Sequence, residues 1–186
     1  EDPEKKGALL TEMDEDAFKN FVEELNIDEV VDIFEHMPTD DVADLIAPLP
    51  EDTTHSILKK MKREGSEEVE GLLRYPDDTA GGIMVPDFIA LQENVAAEAI
   101  GSIQKEYLHV EMPFYLYVVD SYQKLVGVSS LRQLVVVPPE TPLRDFMHTD
   151  VVSVKTDTDQ EEVARIVARY DILAVPVVNE TNRLVG

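Results

Sequence analysis

A period of twelve runs through residues 13–61 and limits what that part of the chain can become. Met13, Leu25, Met37, Leu49 and Met61 are evenly spaced, as are Phe18, Val30, Val42 and Thr54. The sets Phe21, Ile33, Leu45, Ile57 and Val22, Phe34, Ile46, Leu58 follow the same spacing. Twelve residues accommodate a helix of about two to three turns and a turn, and nothing longer. Helices that short cannot bury their own apolar stripes, so successive copies must stack in a superhelical array. Pro38 and Pro50 fall at matching places, where each ends one helix and starts the next. Asp16, Asp28, Asp40 and Asp52 lie in register just ahead of each stripe, and each is expected to cap its helix and to match the positive end. A last helix, roughly Ser66 to Tyr75, is expected to close the array.

Charge adds a second constraint. The 186 residues carry a formal net charge of −23. Residues 1–90 hold 25 acids against 8 bases, and residues 91–186 hold 14 against 8. Binding to nucleic acid rests on Lys and Arg meeting phosphates, so nucleic acid is not an expected partner, nor is an anionic membrane surface. Self-repulsion on this scale opposes compactness unless cations screen it. Asp40 and Asp44 form a like-charge i,i+4 pair with no Lys or Arg within four residues, and Asp28 and Asp32 repeat the arrangement one unit earlier. Uncompensated carboxylates at helical spacing are what a hard divalent ion would stabilise. The chain has no cysteine, no signal-peptide pattern and no apolar run approaching the ~18 residues of a membrane helix.

The pattern changes across Tyr75-Pro-Asp-Asp-Thr-Ala-Gly-Gly-Ile-Met84. Pro76 cannot continue a helix, and Gly81-Gly82 permit close backbone approach. Beyond it, β-branched runs alternate with helical ones. Phe88–Leu91 reads as a strand, Asn94–Tyr107 as a helix, Phe114–Val119 and Leu125–Ser129 as strands, and Ser130–Leu134 as the start of a short helix. The order then recurs: strand at Val151–Val154, helix at Thr158–Tyr170, strand at Val175–Val178, a turn, and Leu184-Val-Gly186.

These residues carry a family resemblance. Tyr117-Val-Val-Asp120, Leu125-Val-Gly127 and Ser130-Leu-Arg132, followed by Ala174-Val-Pro-Val-Val178 and Leu184-Val-Gly186, resemble a tandem CBS pair. With the acidic helical repeat, the Tyr75–Met84 stretch and Thr156-Asp-Thr-Asp-Gln-Glu-Glu-Val-Ala-Arg165, the whole resembles the cytosolic region of an MgtE-type magnesium transporter. The implied fold is α plus α/β: an all-α superhelical array over residues 1–75, a junction at 76–83, a first CBS module at 84–137 and a second at 138–186. The resemblance implies that the second module continues into a further strand and helix, and that a membrane-embedded pore domain belongs to the same polypeptide. It also implies a place on the cytoplasmic face of the cell membrane, a homodimer through the CBS modules, and no enzymatic activity.

Read from residues alone, Thr158-x-x-Glu161 is a capping box, so the cluster Thr156–Glu162 is explained by helix capping as well as by ion contact. The resemblance implies Mg²⁺ contacts from Asp159, Glu161 and Asp171, with Asp40 and Asp44 facing them and the Gly82 carbonyl at the junction. It also implies an adenine-nucleotide cleft, taking ATP, with Tyr115 stacking on the base and Ser130 and Arg132 near ribose and phosphates; Tyr115 reads equally as an alternating strand residue. The histidines are scattered without metal-ligand spacing, and no phosphate-cradling loop or nucleophile elbow is present. The expected function is magnesium sensing that favours a closed transporter, with a stand-alone adenine-nucleotide sensor as the alternative.

Overall fold

The computed structural model describes residues 3–92, 96–106 and 115–186, which fall into two compact units, Glu1–Pro76 and Asp77–Gly186. The ends of the expected helix at Asn94 and Tyr107, and the start of the expected strand at Phe114, lie outside the described residues.

The first unit is helical: α1 (Pro3–Thr11), α2 (Glu15–Glu24), α3 (Ile27–Phe34), α4 (Thr39–Ile46), α5 (Glu51–Lys60) and α6 (Arg63–Leu72). Each start lies twelve residues after the last, so the period reaches both ends of the unit, beyond the stretch where apolar spacing reveals it. Helices pack on their next-but-one neighbours, α1 on α3, α3 on α5 and α4 on α6. The core between them holds Phe18, Val30, Val42, Ile46 and Ile57, none more than 1% exposed. Phe18 and Phe34 stack at 6.4 Å within it. At the repeat position of Phe18, Val30 and Val42 the chain switches to Thr54 and then Ser66. Both stay in the array because their hydroxyls donate to carbonyls of the helix before, Thr54 to Ile46 at 3.2 Å and Ser66 to Leu58 at 2.8 Å. The closing helix therefore begins at Arg63, three residues ahead of the expected Ser66, its stripe having turned polar.

One expectation is corrected. The in-register aspartates are the second residues of their helices and do not cap them. The caps are Asp14, accepting from the Ala17 amide, and Asn26, accepting from the Asp28 amide. At α4 and α5 the cap position is Pro38 or Pro50, which makes no side-chain bond. Asp16, Asp28, Asp40 and Asp52 keep the favourable interaction of a carboxylate with the positive helix end.

The second unit contains two copies of one module. In the first, β1 (Ala90–Gln92) runs parallel to β2 (Tyr115–Val119), which pairs antiparallel with β3 (Leu125–Ser130). Helices α7 (Ala96–Glu106) and α8 (Leu131–Val136) cover one face, over Leu91, Leu116 and Val118, with Leu134 of α8 buried among them. In the second, β4 (Val154–Lys155) runs parallel to β5 (Val177–Val178), with α9 (Gln160–Tyr170) between them. Val178 and Leu184 form an antiparallel bridge that completes the return, the Val177 amide donating to the Gly186 carbonyl at 2.8 Å.

The copies interlock. Asp120 and Asn179 build the same turn, each side chain accepting two amides further along the chain. Gln123 and Asn182 then take the left-handed conformation, both at φ 64°. The turns exchange hydrogen bonds, Leu125 amide to Asn182 carbonyl and Leu184 amide to Gln123 carbonyl, each 3.2 Å. Residues 115, 117 and 119 of β2 face this seam with Val178 and Leu184, while 116 and 118 face α7 and α8, the alternation a pleated strand dictates. The methionine that leads into each copy packs against the last strand of the other. Met147 lies where a Cβ on Gly127 would meet its Sδ at 2.5 Å, and Met84 where one on Gly186 would meet it at 2.8 Å.

Candidate functional site

In the helical unit, Asp40 and Asp44 share one face of α4 a turn apart. Asp40 is half-buried in the first turn and Asp44 is exposed, while Val42, Ala43 and Ile46 hold the opposite face in the core. The helix has no basic residue in its last turn.

In the second unit the site candidates divide between the two ends of α9. Asp159 caps the helix, its Oδ1 accepting the Glu161 amide at 2.8 Å. Glu161 pairs with Arg165 at 3.0 Å, with both side chains largely exposed. The capping box expected at Thr158 does not form. Thr158 turns back to accept the Lys155 amide at 3.0 Å, and the cap moves one residue on, to Asp159. The reason lies in residues 78–82, which run antiparallel to this loop. The Gln160 amide donates to the Asp78 carbonyl at 2.9 Å, Ala80 to Thr158 at 2.7 Å and Gly81 to Thr156 at 2.8 Å. Gly82 belongs to the same segment, its amide bonded to the Thr79 carbonyl at 3.0 Å. Gly82, Asp159 and Glu161 are thus brought to one helix end.

Asp171 is not with them. It terminates α9 in the left-handed conformation, φ 51°. Twelve residues of helix rise separate it from Asp159, about 18 Å along the axis, so the two cannot contact one ion. Among the described residues, neither unit brings three Asp, Glu or His side chains into one metal-holding group.

The nucleotide candidates do converge. Tyr115 and Ser130 are cross-strand partners at the end of the β2–β3 hairpin, and Arg132 follows in the exposed first turn of α8. The Tyr115 hydroxyl accepts the Leu173 amide at 3.3 Å, tying this end of the first module to the loop after Asp171. That backbone group was invisible to sequence reasoning, because nothing about Leu173 as a residue type announces it. Ser130 caps α8 through a complete capping box, its hydroxyl accepting the Gln133 amide and its own amide donating to Gln133 Oε1, each at 3.2 Å. Gln133 Oε1 also receives buried Ser129, so Gln133 organises the corner rather than reaching outward. Two residues along β2, burial pushes the Tyr117 hydroxyl up to about 12, and Phe88 meets its ring edge-on at 6.4 Å.

Residues 2–78 match the family model of the MgtE intracellular N domain, and residues 143–186 match that of the CBS domain. The magnesium transporter MgtE of Thermus thermophilus is 47% identical over 120 residues, 64% of this chain and 27% of the transporter. The chain thus spans little more than a quarter of that relative's length. The crystal structure of the cytosolic domain of the Mg²⁺ channel MgtE in complex with ATP aligns with all of this chain and 76% of its own, at TM-score 0.93 and 35% identity. That of the soluble part of a magnesium transporter aligns over 99% and 73%, at 0.90 and 33%.

Proposed function

Since the chain belongs to the MgtE family and shares the fold of that family's cytosolic domain, we propose that it is the magnesium-sensing part of a magnesium transporter. The observation that carries this reading is the match along the full chain, at TM-score 0.93, to a cytosolic domain of a Mg²⁺ channel. The pore it governs belongs to the same polypeptide at the cell membrane, with this region on the cytoplasmic face.

Asp40 and Asp44 on the helical unit and Asp159, Glu161 and the Gly82 carbonyl on the CBS pair share magnesium ions when the concentration is high, and Asp171 contributes separately. The chemistry suits the ion. Carboxylate and carbonyl oxygens are hard donors, and magnesium keeps much of its water, so pairs of carboxylates rather than closed cages are adequate partners. Each shared ion favours the closed arrangement modestly. Moving an equilibrium from 1:99 to 99:1 takes ~5.5 kcal/mol, which about four ions supply if each prefers the closed form roughly tenfold. ATP, present in the solved relative, belongs in this reading at Tyr115, Ser130 and Arg132. The guanidinium meets phosphate and the ring stacks on adenine. A homodimer completes it, and the exposed apolar residues Leu131, Val135 and Val136 of α8 supply a face for it.

Small-angle scattering on the chain tests the reading. Dimensions should shrink between micromolar and ten-millimolar Mg²⁺, and the change should weaken when Asp40, Asp44 and Asp159 are replaced by Asn. A nucleotide response with dimensions indifferent to magnesium would favour the stand-alone nucleotide sensor instead.

A further inference from the structure

The strand that carries Ser130 passes into helix without a loop. β3 ends at Ser130 and α8 begins at Leu131, so the backbone turns from extended to helical between adjacent residues. Gln133 holds that corner. Its Oε1 accepts the Ser130 amide and the Ser130 hydroxyl, each at 3.2 Å, and the Ser129 hydroxyl at 3.3 Å. Ser129, 3% exposed, is the one buried polar residue among those described, and Gln133 is its acceptor. The Ser130 hydroxyl also accepts the Gln133 amide, so it is spent on the start of the helix. Arg132 lies inside this box, between its two ends. Its side chain is exposed, and among the described residues the guanidinium has no ion-pair or hydrogen-bond partner. What aims it is the backbone of the turn from which it projects. A guanidinium fork meets phosphate through two parallel bonds, so its fit depends on that direction.

We propose that Gln133 is a positioning residue for phosphate recognition: it touches no ligand, and by locking the strand-to-helix corner it aims Arg132 at the phosphates of a nucleotide stacked on Tyr115. This role rests on the nucleotide reading above and gives the two halves of that site separate supports. Tyr115 is held by its pairing in the sheet and by the Leu173 amide that its hydroxyl accepts, and Gln133 takes part in neither. Arg132 is held by the corner alone. Loss of the lock therefore removes affinity for the phosphates and leaves the contact with the base.

The test is titration of the whole chain with ATP and with adenosine at one ionic strength, followed by amide chemical shifts. It compares the parent, Gln133→Ala, and the double variant Ser129→Ala, Gln133→Leu. The single variant leaves the buried Ser129 hydroxyl without its acceptor, which costs stability as well as the lock. The double variant replaces both partners of that buried bond by apolar groups, so the fold is kept while the lock is still absent. The parent should bind ATP more tightly than adenosine. Both variants should weaken ATP about five- to thirtyfold, the worth of ordering one backbone residue on binding, with adenosine within about twofold of the parent. Equal losses for the two ligands, or no loss of ATP in the folded double variant, overturn the positioning role and leave the nucleotide reading standing. A parent that binds neither ligand overturns the nucleotide reading, and the role of Gln133 with it.

Discussion

Glu35 does the work of two residues. It follows α3, its side chain is 16% exposed, and its carboxylate reaches to the start of α6. Oε1 accepts the Lys62 amide at 2.6 Å and Oε2 meets Lys62 Nζ at 2.7 Å. Lys62 occupies the cap position of α6 but has no acceptor to offer that helix, so Glu35 orders its start from a distance. Burial alone would raise the Glu35 carboxyl, but the hydrogen bonds and charge of Lys62 outweigh it and hold the group below its usual range. A depressed carboxylate contributes stability that is present above its unfolded value and lost as pH falls through the folded one. Glu35→Gln should therefore lower stability at neutral pH by about 1–2 kcal/mol, the worth of a charge-assisted bond to an ordered amide. The gap to the parent should close below about pH 4. Urea midpoints of the two proteins from pH 7 to pH 3 check both statements.

At the scale of elements, the two modules of the second unit share a core rather than owning one each. Gly127 sits where Met147, from the lead-in to the other module, fills the space a side chain would need. Gly127→Ala places a methyl 2.5 Å from Sδ and 2.9 Å from Cγ of that methionine. Overpacking of this kind costs about 1–3 kcal/mol. Met147→Ala removes the clashing atoms, so the double variant should lose less than the two singles added. A double-mutant cycle by chemical denaturation measures the coupling, and strict additivity would show that Met147 does not guard that space. The interlock was only partly legible beforehand. The two-copy order of strands and helices could be read from runs such as Leu125-Val-Gly and Leu184-Val-Gly, because β-branched clustering is local information. The reciprocal turn bonds could not, since they join residues some sixty positions apart through backbone atoms that carry no residue signature. The helical unit was legible where the stripe was apolar, and mis-started at Arg63 where Ser66 took the place of a hydrophobe. At the candidate site, Asp159 and Glu161 were correctly placed at one helix end. The identity of the cap was missed, since residues 78–82, which bond to the loop before α9, come from eighty residues upstream.

At the scale of the molecule, two forces on the surface point in opposite directions. The units carry 22 acids against 8 bases and 17 against 8, so a pair of chains brings together twice the net charge of −23. Against that repulsion stands the exposed face of α8, where Val135 and Val136 are 69% and 77% exposed. Burying side chains of that size recovers about 1.5–3 kcal/mol apiece at most, before association costs are met. A dimer on this face should therefore be conditional on ionic strength: weak at 10 mM salt, where charges interact across about 30 Å, and firm at 150 mM, where they reach about 8 Å. Sedimentation equilibrium at the two concentrations should show the dimer fraction rising with salt, opposite to the trend of an assembly held by ion pairs. Val136→Glu, which places a charge in the apolar face without touching the core, should leave a monomer at both. If that variant dimerises as the parent does, the association runs through another surface, and the apolar residues of α8 have some other purpose.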